Sequence, residues 1–240
     1  MKPAERQPLE VALKLRWCAI YCERSADGYT ARVLPSAFII PAHPVLRDRP
    51  PKGDGWLHEV KFDGYRVQLF KDGKDVAIYS RNGIDFTSRF PAIASALAQL
   101  PAKSVIIDAE AVACNAKGMP DFVALHGRGA QPEDLCCWAF DLLRHNSLDT
   151  RSLPLMARRA KLEKILERFD NGFIRFSETF SDPERLLAEC EKHGLEGIVS
   201  KRKDAQYRSG KCDWVKVKSK VWRKANKDRG ELFNPRKPRP

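Results

Sequence analysis

Three separated segments carry charge on every second residue: Glu59, Lys61 and Asp63 in "HEVKFDGYR", Asp108 and Glu110 in "VIIDAEAV", and Lys216, Lys218 and Lys220 in "WVKVKSK". Side chains two apart on a strand point to the same side, so each stretch reads as a strand with one charged face; in the first, Val60 and Phe62 turn the other way. Like charges so placed repel, at a modest cost in water that grows as the site dries. Taken singly, each stretch is equally a half-buried strand with its polar side in solvent. Taken together, and with Glu196 and Lys201 of "EGIVSK", they point to faces that converge. A divalent cation would relieve the carboxylates and a phosphate the lysines. Gly64, directly after Asp63, lets a backbone or ligand come close where a side chain would obstruct.

The rest of the chain supplies elements around these strands. "WLHEVKFDGYRVQLF" and "DVAIYS" flank "KDGK", in which Asp72-Gly73 signals a hairpin. A helix is expected over about 89–100, with Thr87 or Ser88 as cap, Pro91 in the first turn and Phe90, Ile93, Ala94 and Leu97 on one face. "SVIIDAEAVAC" and "CCWAFDLL" read as strands, "LPLMARRAKLEKILERF" and "SDPERLLAECEKHG" as helices, and "EGIVSKR" and "DWVKVKSK" as strands again. Strands and helices mix without the regular alternation of a doubly wound parallel sheet. The expected class is α+β, with antiparallel sheets and flanking helices.

Composition narrows the function. The chain has 240 residues and a net charge of +12. Residues 201–240 hold 15 Lys or Arg against 4 Asp or Glu, so almost all of that surplus lies there. Clustered cations suit a polyanion, because neutralising phosphates releases counterions. The stretch "NPRKPRP" alone reads as a solvated tail. No apolar run approaches the roughly 18 residues a spanning helix needs, so no membrane partner is expected. Seven cysteines without paired CxxC spacing read as reduced thiols in a cytoplasmic protein.

At this point the sequence resembles a family, the covalent nucleotidyltransferases: ATP-dependent DNA ligases, with RNA ligases and capping guanylyltransferases as relatives. "EVKFDGYR" is similar to its nucleophile motif. "SRNG" at 80–83, "IDAEAV" at 107–112, "AFDLL" at 139–143, "EGIVSK" at 196–201 and "WVKVK" at 214–218 follow in the family's order. The nearest resemblance is to the ligase domain of bacterial multi-domain end-joining ligases, which share "FDLL", the "LPL" helix start and "EGIVSKR".

The resemblance implies an ATP-grasp-like domain with the nucleotide in a groove between two sheets. It implies that Lys61 attacks the α-phosphate of ATP and becomes lysyl-AMP, with Lys216 and Lys218 assisting. Glu59 would read the adenine amino group, Arg66 and Glu110 the ribose, and Phe140 would stack on the base. Arg81 would lie near the nucleotide or nick phosphate, and Lys201 would belong to the same nucleotide site. Asp108, Glu110 and Glu196 would hold Mg2+ or Mn2+. The implied substrate is nicked or broken double-stranded DNA, in a bacterial, nucleoid-associated setting.

The pattern departs from the family at Ala109, where glycine is usual, and in length. Only residues 219–240 follow Lys218, too few for the five strands of an oligonucleotide-binding barrel. The expectation is therefore an adenylation domain over 37–222, between an unpatterned arm (1–36) and a disordered basic tail (223–240). The barrel is expected to be missing, or supplied by a separate oligonucleotide-binding or end-joining protein. An RNA-directed nucleotidyltransferase and a non-catalytic DNA- or nucleotide-binding module are the competing readings.

Overall fold

The chain divides into two units, Met1–Ile39 and Ile40–Pro240. This computed structural model describes residues 20–25, 28–33, 38–114, 120, 124–125, 134–169 and 172–227. In the first unit, β1 (Ile20–Ser25) and β2 (Gly28–Val33) form an antiparallel hairpin. Strand formers such as Tyr21, Tyr29 and Thr30 are interleaved there with Glu23, Arg24 and Arg32, which hides any alternation. The rest of the arm read as unpatterned lies outside the described residues.

The second unit holds two sheets. One runs in the order β3 (Ala42–Leu46), β12 (Gly210–Lys218), β11 (Gly197–Arg202), β4 (Trp56–Lys61). The other runs β10 (Ile174–Phe176), β8 (Leu135–His145), β7 (Ser104–Ala113), β5 (Tyr65–Asp72), β6 (Asp75–Ser80), with β9 (Leu148–Asp149) paired to β8. The class is α+β as expected, but not every pairing is antiparallel: β10 runs parallel to β8, and β3 parallel to β12. A helix between β8 and β10 carries the chain back, as a parallel connection requires; β3 and β12 are too distant in sequence for a hairpin to set their direction.

The stretch read as one strand around Lys61 is two strands in different sheets. β4 ends at Lys61 and β5 starts at Tyr65. The crossing is tight: a Cβ on Gly64 would lie 2.2 Å from the Ala111 carbonyl oxygen. Asp63 therefore does not continue the face of Glu59 and Lys61; it accepts a hydrogen bond from Trp222 Nε1 at 3.0 Å. Lys220 likewise leaves the face of Lys216 and Lys218, because β12 stops at Lys218 and Lys220 opens α4 (Lys220–Ala225). That helix enters the segment expected to be a tail, whose residues 228–240 lie outside the described ones.

Helices close the apolar sides. α1 (Pro91–Gln99) buries Ile93, Ala94, Ala96 and Leu97 against β5–β8, together with Val67, Leu69, Ile107 and Leu142. Each fully buried Leu or Ile contributes about 1.5–3 kcal/mol. Its expected caps do other work. Thr87 and Ser88 lie in a 3-10 turn, and Thr87 Oγ1 accepts the Ile78 amide at 2.9 Å. α2 (Leu155–Glu167) covers the same sheet through Leu162, Ile165 and Leu166. α3 (Pro183–Lys192), capped by Asp182 on the Glu184 and Arg185 amides, places Leu186 and Cys190 on Ile198 and Val217 of the four-stranded sheet, where Val60 joins them.

With Val60 inward, Glu59 and Lys61 turn to the opposite face, as the alternation requires. Gly197 holds β11 against β12 at the rim of that face: its φ is +146°, and a Cβ would come within 2.0 Å of the Val217 carbonyl oxygen. Gly197→Ala is expected to destabilise the fold by about 2 kcal/mol or more, through left-handed strain plus a backbone clash. A chemical-denaturation midpoint equal to that of the parent chain would refute this.

Candidate active site

Strand register brings the charged residues together. Gly197 pairs with both Lys61 and Lys218, and Val199 with both Glu59 and Lys216. Glu59, Lys61, Lys201, Lys216 and Lys218 thus occupy one face of the four-stranded sheet. Arg66 pairs with Glu110, and Glu110 with Trp138, on the facing side of the larger sheet. Between Asp108 and Ala109 the register of β7 and β8 slips, leaving Phe140 as the extra residue between Ala139 and Asp141. Such a bulge re-aims a side chain.

At the Lys61 end, Glu196 bridges two ammonium groups. Its Oε2 lies 2.6 Å from Lys61 Nζ and its Oε1 3.1 Å from Lys218 Nζ. Glu196 is 5% exposed. Lys216 stands close by, its pKa lowered by burial and then by Lys61 and Lys218, with Glu196 opposing and Arg81 adding to the depression. Three lysines and one buried carboxylate leave a local surplus of positive charge, which suits a polyphosphate. Arg81 is exposed in the turn after β6. Its charge also lowers His43, after burial and ahead of Arg66 and Lys216.

At the other end, Glu59 is 3% exposed and held by cations. Lys201 Nζ is 3.0 and 2.9 Å from its two oxygens, and Arg159 Nη1 is 2.8 Å from Oε1. Lys201 Nζ also lies over the rings of Phe140 (4.4 Å) and Trp214 (4.2 Å). Arg159 further donates to the carbonyls of Phe140 and Ser177. Nothing in the sequence reading singled out Arg158, Arg159, Tyr207 or Trp214. Two adjacent arginines on an otherwise amphipathic helix read as solvent-facing, and only their burial at 0% and 4% exposure shows their role.

The metal-ligating set splits. Asp108 receives Arg66 Nε at 3.0 Å and Nη2 at 2.7 Å, and the Tyr207 hydroxyl at 2.7 Å. Arg66 reaches onward to the Ala42 carbonyl. This network joins β3, β5, β7 and the 203–209 segment, and it commits Asp108 to structure. Among the described residues no three carboxylate, His or Cys groups are arranged as a metal cage. Glu110 and Glu196 do act on each other: burial raises Glu110 to about 7, against Lys61 and Arg66 and with a further push from Glu196. Glu110 Oε1 accepts the Gly64 amide at 3.1 Å.

That shift has a testable sign. The folded pKa of Glu110 lies above the ordinary 4.5, so its contribution is fully present below pH 4.5 and is lost as pH rises to about 7. Glu110→Gln, which mimics the neutral acid, is expected to gain thermal stability relative to the parent chain between pH 5 and pH 8. Melting curves at those two pH values whose difference stays constant would contradict the assignment.

Comparison with known proteins settles the family. The model of the ATP dependent DNA ligase domain matches residues 47–218. The chain belongs to this family. The ligase domain is 40% identical over 191 residues to the multifunctional non-homologous end joining protein LigD of Pseudomonas aeruginosa, an alignment that covers 77% of this chain and 22% of that protein. It is 37% identical over 176 residues to a probable DNA ligase of Dictyoglomus turgidum, covering 67% of this chain and 30% of the relative. Among solved structures it is similar to the ligase domain of LigD from M. tuberculosis, with 30% identity and a TM-score of 0.65 over 75% of this chain and 59% of that one. A mycobacterial DNA ligase D complexed with ATP and MES gives 32% identity and a TM-score of 0.64 over 75% and 60%. The ligase domain thus spans between about a fifth and a third of the length of these curated relatives. Among the described residues no helix is long and apolar enough to cross a membrane.

Proposed function

We propose that this ligase domain catalyses ATP-dependent adenylyl transfer to DNA, with Lys61 as the nucleophile. The observation that carries the proposal is the Lys61–Glu196–Lys218 bridge beside Lys216, on the same sheet face as Glu59. A nucleotide laid along that face has its base at Glu59, Lys201 and Phe140 and its phosphates at the lysines. Lys61 Nζ attacks the α-phosphorus, the P–N bond forms as the bond to pyrophosphate breaks, and the lysine loses its proton. Glu196 is the nearby proton acceptor, and Lys216 and Lys218 stabilise charge developing on phosphate oxygens.

Glu59, an acceptor held in place by Lys201 and Arg159, suits the adenine amino group better than the guanine carbonyl. Arg66 and Glu110 face the ribose. Mg2+ or Mn2+ fits at Glu110 and Glu196, since such ions take one or two carboxylates together with substrate phosphates; bound there, it would polarise the phosphates. Asp108 is outside that set. The second substrate is a 5′-phosphate at a nick or break in duplex DNA, to which AMP passes before the 3′-hydroxyl seals the strand. Arg81, exposed and near enough for its charge to act on Lys216, is our candidate to receive that phosphate.

The test uses the full chain with ATP labelled at the α-phosphate and Mg2+, followed by nicked duplex DNA. Label should join the protein covalently, move to the DNA 5′ end and leave as AMP on sealing. Labelling by GTP alone would replace this reading with capping chemistry, and absence of any covalent label would end it.

A further inference from the structure

We propose that Cys114 and Cys136 form an oxidation-sensitive thiol pair, which hydrogen peroxide closes to a disulfide on the face of the larger sheet that carries Glu110. This goes beyond the adenylyl-transfer reading and does not depend on it. The Cys114 and Cys136 sulfurs lie 3.6 Å apart, and both cysteines are free. Register explains their meeting. Val112 pairs with Cys136, and the Cys114 amide donates to the Asp134 carbonyl at 2.8 Å, so the two cysteines are diagonal neighbours across β7 and β8. Alternation puts both on the side that carries Glu110 and Trp138. Closure to a bond of about 2.05 Å asks for roughly 1.5 Å of approach, within the reach of side-chain rotation on adjacent strands.

The pair is asymmetric in the way such chemistry requires. Cys114 is partly exposed and Cys136 buried. The contact with Cys136 and then the Arg175 charge hold the Cys114 thiol at about 7, against burial and Asp134. A thiolate at neutral pH that solvent can reach is the attacking group. Its sulfur bonds to one peroxide oxygen as the O–O bond breaks, and hydroxide leaves and is protonated to water. The Cys136 sulfur then attacks the sulfenic acid, the S–S bond forms, and a second water departs with the Cys136 proton. The other cysteines with described side chains are buried, Cys212 in β12 among them. Cys137 turns to the opposite face and into the core, and Cys190 lies in α3, donating to the Gly197 carbonyl.

The experiment treats the full chain with hydrogen peroxide, traps remaining thiols with N-ethylmaleimide and maps the peptides by mass. The parent chain should lose two alkylations, yield a Cys114–Cys136 cross-linked peptide and regain both thiols with dithiothreitol. Cys114→Ser should keep Cys136 as a thiol, and Cys136→Ala should leave Cys114 as sulfenic or sulfinic acid. Alkylation of Cys114 before oxidation should follow a midpoint below the ordinary thiol value. Two intact thiols after peroxide, a bridge to another cysteine, or a midpoint at the ordinary thiol value would each overturn the proposal, and covalent labelling by ATP would remain a separate measurement.

Discussion

Lys61→Ala is expected to lower covalent labelling by ATP by about 10^4-fold or more, because the variant lacks the attacking amine and no other group can take its place along the same trajectory. Lys216 and Lys218 sit on β12, with β11 between it and β4, and in the proposed reaction their ammonium groups stabilise charge on the phosphates rather than attack the α-phosphorus. Lys61→Arg should fail almost as completely, since a guanidinium stays protonated at any working pH and is no nucleophile. Folding should survive either change. The Lys61 side chain is 23% exposed, and Glu196 keeps Lys218 as its partner. A circular-dichroism melt within a few degrees of the parent, beside a blank autoradiograph, is the expected pair of results. Labelling retained in Lys61→Ala would move the nucleophile elsewhere and take the adenylyl-transfer reading with it.

Much of this site is legible in the sequence because it rests on a period of two. Glu59 and Lys61, Asp108 and Glu110, and Lys216 and Lys218 each lie on one strand, and pairing with Gly197 and Val199 is enough to bring the lysines into one cluster. The hydrophobic side is legible for the same reason: Val60, Ile198 and Val217 alternate inward. What local pattern does not carry is where a strand stops. Continuous alternation through Phe62 and Asp63 reads as one strand, whereas Gly64 permits a backbone approach that passes the chain to a second sheet. Partners distant in sequence are equally invisible. Asp108 reads as a metal ligand because it stands two residues from Glu110, and it is tied down by Arg66 and Tyr207, 42 and 99 residues away.

Arg158 shows the largest gap between local pattern and energetic consequence. Arg158 and Asp141 are both fully buried, joined by Nε to Oδ1 at 2.7 Å and Nη2 to Oδ2 at 2.9 Å. Nη1 also donates to the carbonyls of Leu153 and Ala205 at 2.7 and 2.9 Å. One side chain thereby fastens α2 to the bulged strand beside Phe140 and to the segment after β11. Arg158→Met leaves the buried Asp141 carboxylate without its ion-pair partner, with only the Leu142 amide and the more remote charge of Lys201 to offset it, and the expected loss is about 3–5 kcal/mol. For a chain of this size that corresponds to a fall in Tm of roughly 10 °C. The double variant Arg158→Met with Asp141→Leu removes the stranded charge as well, so it should recover a large part of that loss, the two open carbonyls accounting for the remainder. Activity separates from stability in this pair. With Asp141 gone, the bulge that aims Phe140 loses its tie to Arg158 and keeps only the Arg159 bond to the Phe140 carbonyl, so the double variant should fold yet show a raised KM for ATP in the labelling reaction. If it melted as low as the single variant, the cost would lie in lost shape rather than in the unpaired carboxylate, and the electrostatic account of Arg158 would fail.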